Sequence, residues 1–224
     1  MPSSSSRMYL AAAVLMVAVR GSCAPVERHG PAAKTEAVVM LSDLHLDPFR
    51  DAALLPSLRE APVSEWAQIL SRPAAPTEAA VFDALQKRCQ VRGADSSWAL
   101  LERSLAEAKR RQPKPLFVTV SGDLLAHGFP CRFRALAPKA TGEDLSAFSA
   151  KTMAFLALQL RATFPGAPVY VALGNNDSGC ADYRETPDSG FLRATATILA
   201  DNLHDAKSRA ELLSSFAVGG DYSV

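Results

Sequence analysis

Residues 38–51 read VVMLSDLHLDPFRD, and the break in the middle of that stretch decides the reading of the whole chain. A run of aliphatic residues ends abruptly at Asp43, His45 and Asp47. Chain-burying residues belong to a strand, and acids with an imidazole directly behind them belong to its exit. The same construction returns twice. LFVTV at 116–120 runs into SGDLLAH, and PVYVAL at 168–173 runs into GNND. Each aliphatic run is continuous, a pattern that suits strands covered on both faces.

Segments with helical period lie between these runs. EAAVFDALQKRCQV starts after Thr77 and stops at Gly93, SWALLERSLAEAKRRQ begins near Asp95 and stops at Pro113, and a third runs from about Asp144 to Phe164. FLRATATILADNLH and AKSRAELLSSF add two more. Strands alternating with helices predict an α/β fold with a mostly parallel sheet flanked by helices. The stretch from Asp47 to Ser71 carries Pro48, Pro56 and Pro62 and reads as a partly helical excursion above the sheet edge. Trp66 and Ile69 within it are either core plugs, the default, or the lining of a groove.

Net charge is +1, with 24 basic against 23 acidic residues, so no global field gathers nucleic acid or an anionic membrane. The one basic cluster, Lys109 to Arg111, closes a predicted helix, where cations offset the helix dipole. At the amino end Arg7 precedes an apolar stretch from Met8 to Val19 and then small residues, the pattern of an export signal over residues 1–24. Twelve apolar residues are too few for the roughly 20 needed to span a bilayer. Cleavage after Ala24 and lipidation at Cys23 are the two ways this segment ends, so the chain is read as exported: periplasmic, secreted or lipid-anchored. Residues 25–36, with the solvated His29, form a linker, and a single domain follows from 37 to 224. Export places Cys89, Cys131 and Cys180 in an oxidising compartment. Cys131 and Cys180 each follow a polar strand ending and are placed to pair on one rim of the sheet.

In open α/β sheets the crevice outside the carboxyl ends of the strands is where ligands bind. Asp43, His45, Asp123 and Asn175 converge there on this reading, a carboxylate, imidazole and amide set suited to one or two transition-metal ions. Asp43 and His45 are two residues apart, so an extended strand end turns them the same way. Gly122 and Gly174 allow close backbone approach beside Asp123 and Asn175. Each motif alone is more often a tight turn or a helix cap. Their order, each at a strand ending, is what carries weight.

That order resembles the calcineurin-like metallophosphoesterases, whose D-x-H, G-D and G-N-H-[D/E] signature is met by DLH, GD and GNND. LSDLHLDPF, SGDLLAHG and LGNNDSGC are most similar to the bacterial acid-sphingomyelinase-like branch. The resemblance implies the first part of an α/β/β/α sandwich and two divalent ions, Zn, Fe or Mn. Asp43 and His45 would hold one ion, Asp123 would bridge both, and Asn175 would hold the other. It implies hydrolysis of phosphate esters, of diesters before monoesters, by a hydroxide shared between the ions. The substrate is then a small phosphate ester or a lipid head group. Asn176 stands where many relatives have histidine; it can donate a hydrogen bond but not a proton. The second catalytic candidate is therefore His127, four residues past Asp123, to orient the phosphate or protonate the leaving oxygen. Asp177 is expected to be a cap and His204 structural or solvated. The family pattern continues with a lone His and a G-H-x-H segment that this sequence lacks, and DYSV at 221–224 reads as the opening of another strand. The expectation is therefore a domain incomplete at its C-terminus and poorly active by itself. The contrasting readings are a degenerate, non-catalytic binding protein and a thiol-dependent enzyme using Cys131 or Cys180 with His127.

Overall fold

The computed structural model describes residues 36–74 and 76–223. The export segment, Cys23 and His29 lie outside them. Three short parallel strands form one sheet in the order β1 (Val39–Leu41), β2 (Val118–Val120), β3 (Val169–Val171). Val39, Val118 and Val169 stand side by side, as do Leu41, Val120 and Val171. Helices supply the rest: α1 (Leu55–Glu60), α2 (Trp66–Leu70), α3 (Glu78–Arg88), α4 (Trp98–Arg111), α5 (Phe129–Leu136), α6 (Gly142–Thr163), α7 (Gly190–Ala200) and α8 (Ala206–Gly219).

The helix boundaries follow from local chemistry. Thr141 and Asp144 form a reciprocal capping box at the start of α6, and the side chains of Ser97, Ser189 and Asp205 each accept a first-turn N–H of α4, α7 and α8. Each satisfies a donor that helix geometry leaves without a partner. Along α6, Leu145, Phe148, Thr152, Leu156 and Leu160 recur every three or four residues, Phe155 lies beside them, and all are buried. They make α6 the central strut of the core. Trp66 and Ile69 are core residues: Trp66 is fully enclosed, stacks obliquely on Phe148 and Phe155, and donates its indole N–H to Leu58 O at 3.1 Å. Burial of a side chain of that kind stabilises the fold by about 1.5–3 kcal/mol.

Three expectations need correction. One face of the strands is fully covered and the other only in part. Val39, Val118, Val120, Val169 and Val171 enter the core, but Met40, in register with Thr119 and Tyr170, is 79% exposed. Their apolar continuity therefore does not report two-sided burial among the described residues. The disulfide joins Cys89 to Cys131, with Cα atoms 5.7 Å apart, and Cys180 is a free thiol. The reason is an unanticipated helix, α5, which carries Cys131 away from the sheet rim to the C-terminal end of α3. Residues 221–223 form no strand. Instead the Tyr222 hydroxyl accepts the N–H of Val171 at 2.9 Å and donates to its carbonyl at 3.2 Å, sealing the outer edge of β3. Among the described residues no helix is long and apolar enough to cross a membrane.

Candidate metal centre

The chain leaving β1 does not disperse into loop. Asp43 N–H donates to Gly122 O at 3.2 Å, His45 N–H to Asp123 O at 2.9 Å and Leu46 N–H to Leu124 O at 2.8 Å. The endings of β1 and β2 are thereby zipped together. On its other side the β1 ending is held by Ser96, whose N–H reaches His45 O and whose carbonyl accepts the Asp47 N–H. The ending of β3 joins through Asp177. One carboxyl oxygen accepts the N–H groups of Leu124 and Leu125 at 2.8 and 2.9 Å, and the other accepts that of Gly174 at 2.9 Å. Asp177 is a buried strut between two loops. Burial pushes its carboxyl up, and the three N–H groups pull against that.

Two glycines allow this junction. A side chain on Gly122, whose φ is +103°, would lie 2.7 Å from Gly174 Cα and 2.8 Å from the Leu173 carbonyl carbon. One on Gly174 would press on the Asp123 carboxyl carbon at 2.7 Å. Neither position has room for even a methyl group.

Convergence of the three endings gathers the candidate ligands. Atoms of Asp43, His45 and Asp123 lie within 4.8 Å of one another. His45 Nδ1 is 2.9 Å from Leu125 O; a carbonyl only accepts, so Nδ1 carries the hydrogen and Nε2 keeps its lone pair. Nε2 faces Asp43 Oδ1 at 3.7 Å and Asp123 Oδ2 at 3.9 Å. A backbone carbonyl that fixes the ring in this way is the usual outer support of a metal-binding histidine. Two carboxylates and a lone-pair nitrogen turned on one small space suit a divalent cation. Asp43, His45 and Asp123 all have positive φ, at 54°, 39° and 53°. Such backbone strain concentrates where a structure must aim side chains.

From the β3 ending, Asn176 N–H donates to Asp123 Oδ1 at 3.0 Å, which ties the turn that carries Asn175 and Asn176 to the bridging candidate. Asn175 Nδ2 donates to Asn176 Oδ1, so the oxygen of Asn175 is the atom left for a cation. Asn176 is buried, its amide engaged with its neighbour. His127 comes to the same place: its ring stacks on that of His45, with centroids 4.2 Å apart. His204 is exposed at the end of the segment after α7, and Cys180 is bonded to Ser178 and the Arg184 carbonyl with no imidazole among its partners.

A buried ion cluster lies beneath His127. Arg132, wholly enclosed, donates to Asp47 at 2.6 Å and to Asp95 at 3.1 Å. Burial pushes the Asp47 carboxyl up, opposed by Arg132 and the Phe49 N–H. Nearby, burial also raises Asp182, against the Gly128 N–H, His127 and Arg132. Within the sequence, Asp47 stood out only as part of the first strand ending. Arg132 gave a signal only through its spacing from Phe129 on a helix not foreseen.

A model of the calcineurin-like phosphoesterase family matches residues 37–220. No curated protein matches the chain.

Proposed function

We propose that this chain, which belongs to the calcineurin-like phosphoesterase family, is an exported metal-dependent hydrolase of phosphodiesters in the acid-sphingomyelinase-like branch. The observation that carries the proposal is the meeting of His45 Nε2 with the carboxylates of Asp43 and Asp123, from two separate strand endings, in a space sized for a cation. The branch and the preference for diesters are supported by the motif contexts LSDLHLDPF, SGDLLAHG and LGNNDSGC. Export is supported by the apolar stretch from Met8 to Val19, and further by the Cys89–Cys131 bridge, since disulfides persist in oxidising compartments.

Asp43 and His45 would hold one divalent ion, Asp123 would reach both it and a second, and Asn175 would hold the second. Zn, Fe and Mn all accept such donors. Bound ions of this kind supply Lewis acidity toward the phosphate oxygens and lower the pKa of water. The remaining work belongs to the chain. Leu125 O fixes the His45 tautomer, Asp177 holds the β2 and β3 endings in register, and His127 presents a ring nitrogen for the leaving oxygen. Asn176, buried and bonded to Asn175, fixes the orientation of that amide and supplies no proton.

The test compares bis(p-nitrophenyl) phosphate with p-nitrophenyl phosphate after loading with Mn or Zn, alongside metal analysis of Asp123→Asn. Faster hydrolysis of the diester, with metal and turnover both lost in the variant, is expected. Preference for the monoester removes the diesterase assignment. Metal retained at full stoichiometry in Asp123→Asn removes the centre itself. A non-catalytic protein would bind no metal tightly and turn over neither ester.

A further inference from the structure

We propose that Asp95 is a positioning residue for His127, and that the buried Arg132–Asp47 pair holds Asp95 in the rotamer that achieves this. The inference rests on the role given to His127 above.

His127 is about half exposed, with 51% of its side chain open to solvent, a setting in which an imidazole ordinarily samples several orientations. Here one carboxylate holds it at two points. Asp95 Oδ1 lies 2.7 Å from His127 Nδ1, and Oδ2 accepts the His127 backbone N–H at 3.1 Å. Ionised carboxylates only accept hydrogen bonds, so Nδ1 carries the hydrogen and Nε2 is the nitrogen left to face a substrate. His45, stacked on the ring with an interplanar angle of 24°, limits its rotation from the other side.

Asp95 is itself fixed from below. Its side chain is 7% exposed, and Oδ2 also accepts from Arg132 Nη2 at 3.1 Å. The other arm of the Arg132 fork reaches Asp47 Oδ2 at 2.6 Å, and Asp47 Oδ1 accepts the Phe49 N–H at 3.0 Å. A planar guanidinium sets two carboxylates at a defined separation, which a lysine ammonium cannot do. Buried ion clusters are a weak source of stability compared with apolar packing of the same volume. This one ends at the turn two residues past His45, so a single rigid element presents both imidazoles.

The geometry makes a prediction about Asp95→Asn that does not depend on turnover. The oxygen at the Oδ2 position receives two donors, the His127 N–H and Arg132 Nη2, so the asparagine carbonyl must occupy that place. The amide NH2 then faces His127 Nδ1, which must accept, and the ring is driven to the Nε2–H tautomer.

Two-bond nitrogen–proton correlation spectra of the full chain with 15N-labelled histidine, metal-free and at a pH where imidazole is neutral, read this directly. Expected are the Nδ1–H tautomer at His127 in the wild type and Nε2–H in Asp95→Asn. Either an Nε2–H wild type or an unchanged variant overturns the proposal. Should Asp95→Asn fail to fold, the wild-type spectrum alone decides. The leaving oxygen takes its proton from Nε2 of the doubly protonated ring, whose Nδ1–H the Asp95 carboxylate accepts and the amide NH2 of the variant cannot; in metal-loaded protein the variant should therefore lose at least tenfold more rate on a methyl phosphodiester than on bis(p-nitrophenyl) phosphate, whose leaving group needs no proton. Equal losses on both overturn the link from Asp95 to the leaving oxygen. If the wild type hydrolyses neither ester, the phosphoesterase reading fails, while the spectra still decide the role of Asp95.

Discussion

Replacing Gly122 with alanine probes the junction on which the whole centre depends. Gly122 has φ +103°, where a β-carbon is strained by about 1–2 kcal/mol. The added methyl also has nowhere to go, because the atoms it meets are the backbone of Leu173 and Gly174 rather than the end of a side chain that could rotate. Forced overpacking of this kind costs about 1–3 kcal/mol. Together the two effects predict a loss of roughly 2–5 kcal/mol, or about 4–20 °C in melting temperature for a domain of this size. The clash separates the β2 ending from the β3 ending, so Asp123 moves away from Asn176 N–H and from Asn175. Metal affinity should therefore fall by more than stability alone accounts for. The assay is thermal unfolding of the metal-free protein, followed by calorimetric titration with Mn at a temperature where the variant is still folded. Wild-type melting and wild-type metal affinity in Gly122→Ala would refute the packing of the two loops on which the site is built.

Other expectations concern separate parts of the molecule. Cys131→Ser opens a link between residues 42 apart, and chain-entropy reasoning puts the loss at about 4 kcal/mol; urea unfolding should show it, and overlapping curves with and without reductant in the wild type would contradict it. Asp144 is held below its ordinary value of 3.8 by the Thr141 N–H and hydroxyl, with Arg59 assisting. A lowered carboxyl adds stability above that value and loses it as the pH falls through the lowered one. Asp144→Ala should therefore melt below the wild type at neutral pH, with the gap closing in acid; a gap that persists in acid would deny the carboxylate its role. Asp43 pays for its aim with left-handed backbone at φ 54°, so Asp43→Gly should stabilise the metal-free chain by about 1 kcal/mol while abolishing metal binding. Chelator-treated melts and a metal titration check both halves, and a destabilised metal-free variant would show that the strain is not there.

Most of the scaffold was readable because its signals are local. Ser97, Ser189 and Asp205 cap helices that the apolar period already outlined, and the three aliphatic runs contain the three strands. The superfamily was readable from the order of the motifs, and the family match over 37–220 agrees with it. What could not be read depends on one short element. α5 has eight residues, with Pro130 near its start, and directly after a motif loop it looks like more loop. Without it Cys131 sits on the wrong rim. Arg132 and Arg134 then look alike, though one is wholly buried and the other exposed. Once the helix is drawn, Arg132 falls three residues after Phe129 and beside Phe133, on the apolar side. Asp95 was hidden differently: it reads as a helix start, but Ser97 caps α4 and leaves Asp95 for His127.

The centre itself could be located in the sequence but not shaped from it, because its shape belongs to no single segment. Asp43, His45 and Asp123 each adopt a left-handed conformation that costs energy in isolation. What holds them is reciprocal: the β1 ending donates Asp43, His45 and Leu46 N–H groups to carbonyls of the β2 ending, while Asp177 of the β3 ending accepts N–H groups of Leu124 and Leu125. Each loop supplies the partners that make its neighbour's strained turn affordable. It follows that a ligand can be displaced by a change in a segment that carries none. The sharpest case is Asp177, whose carboxylate bridges the β2 and β3 endings through three N–H groups although it is not among the candidate ligands.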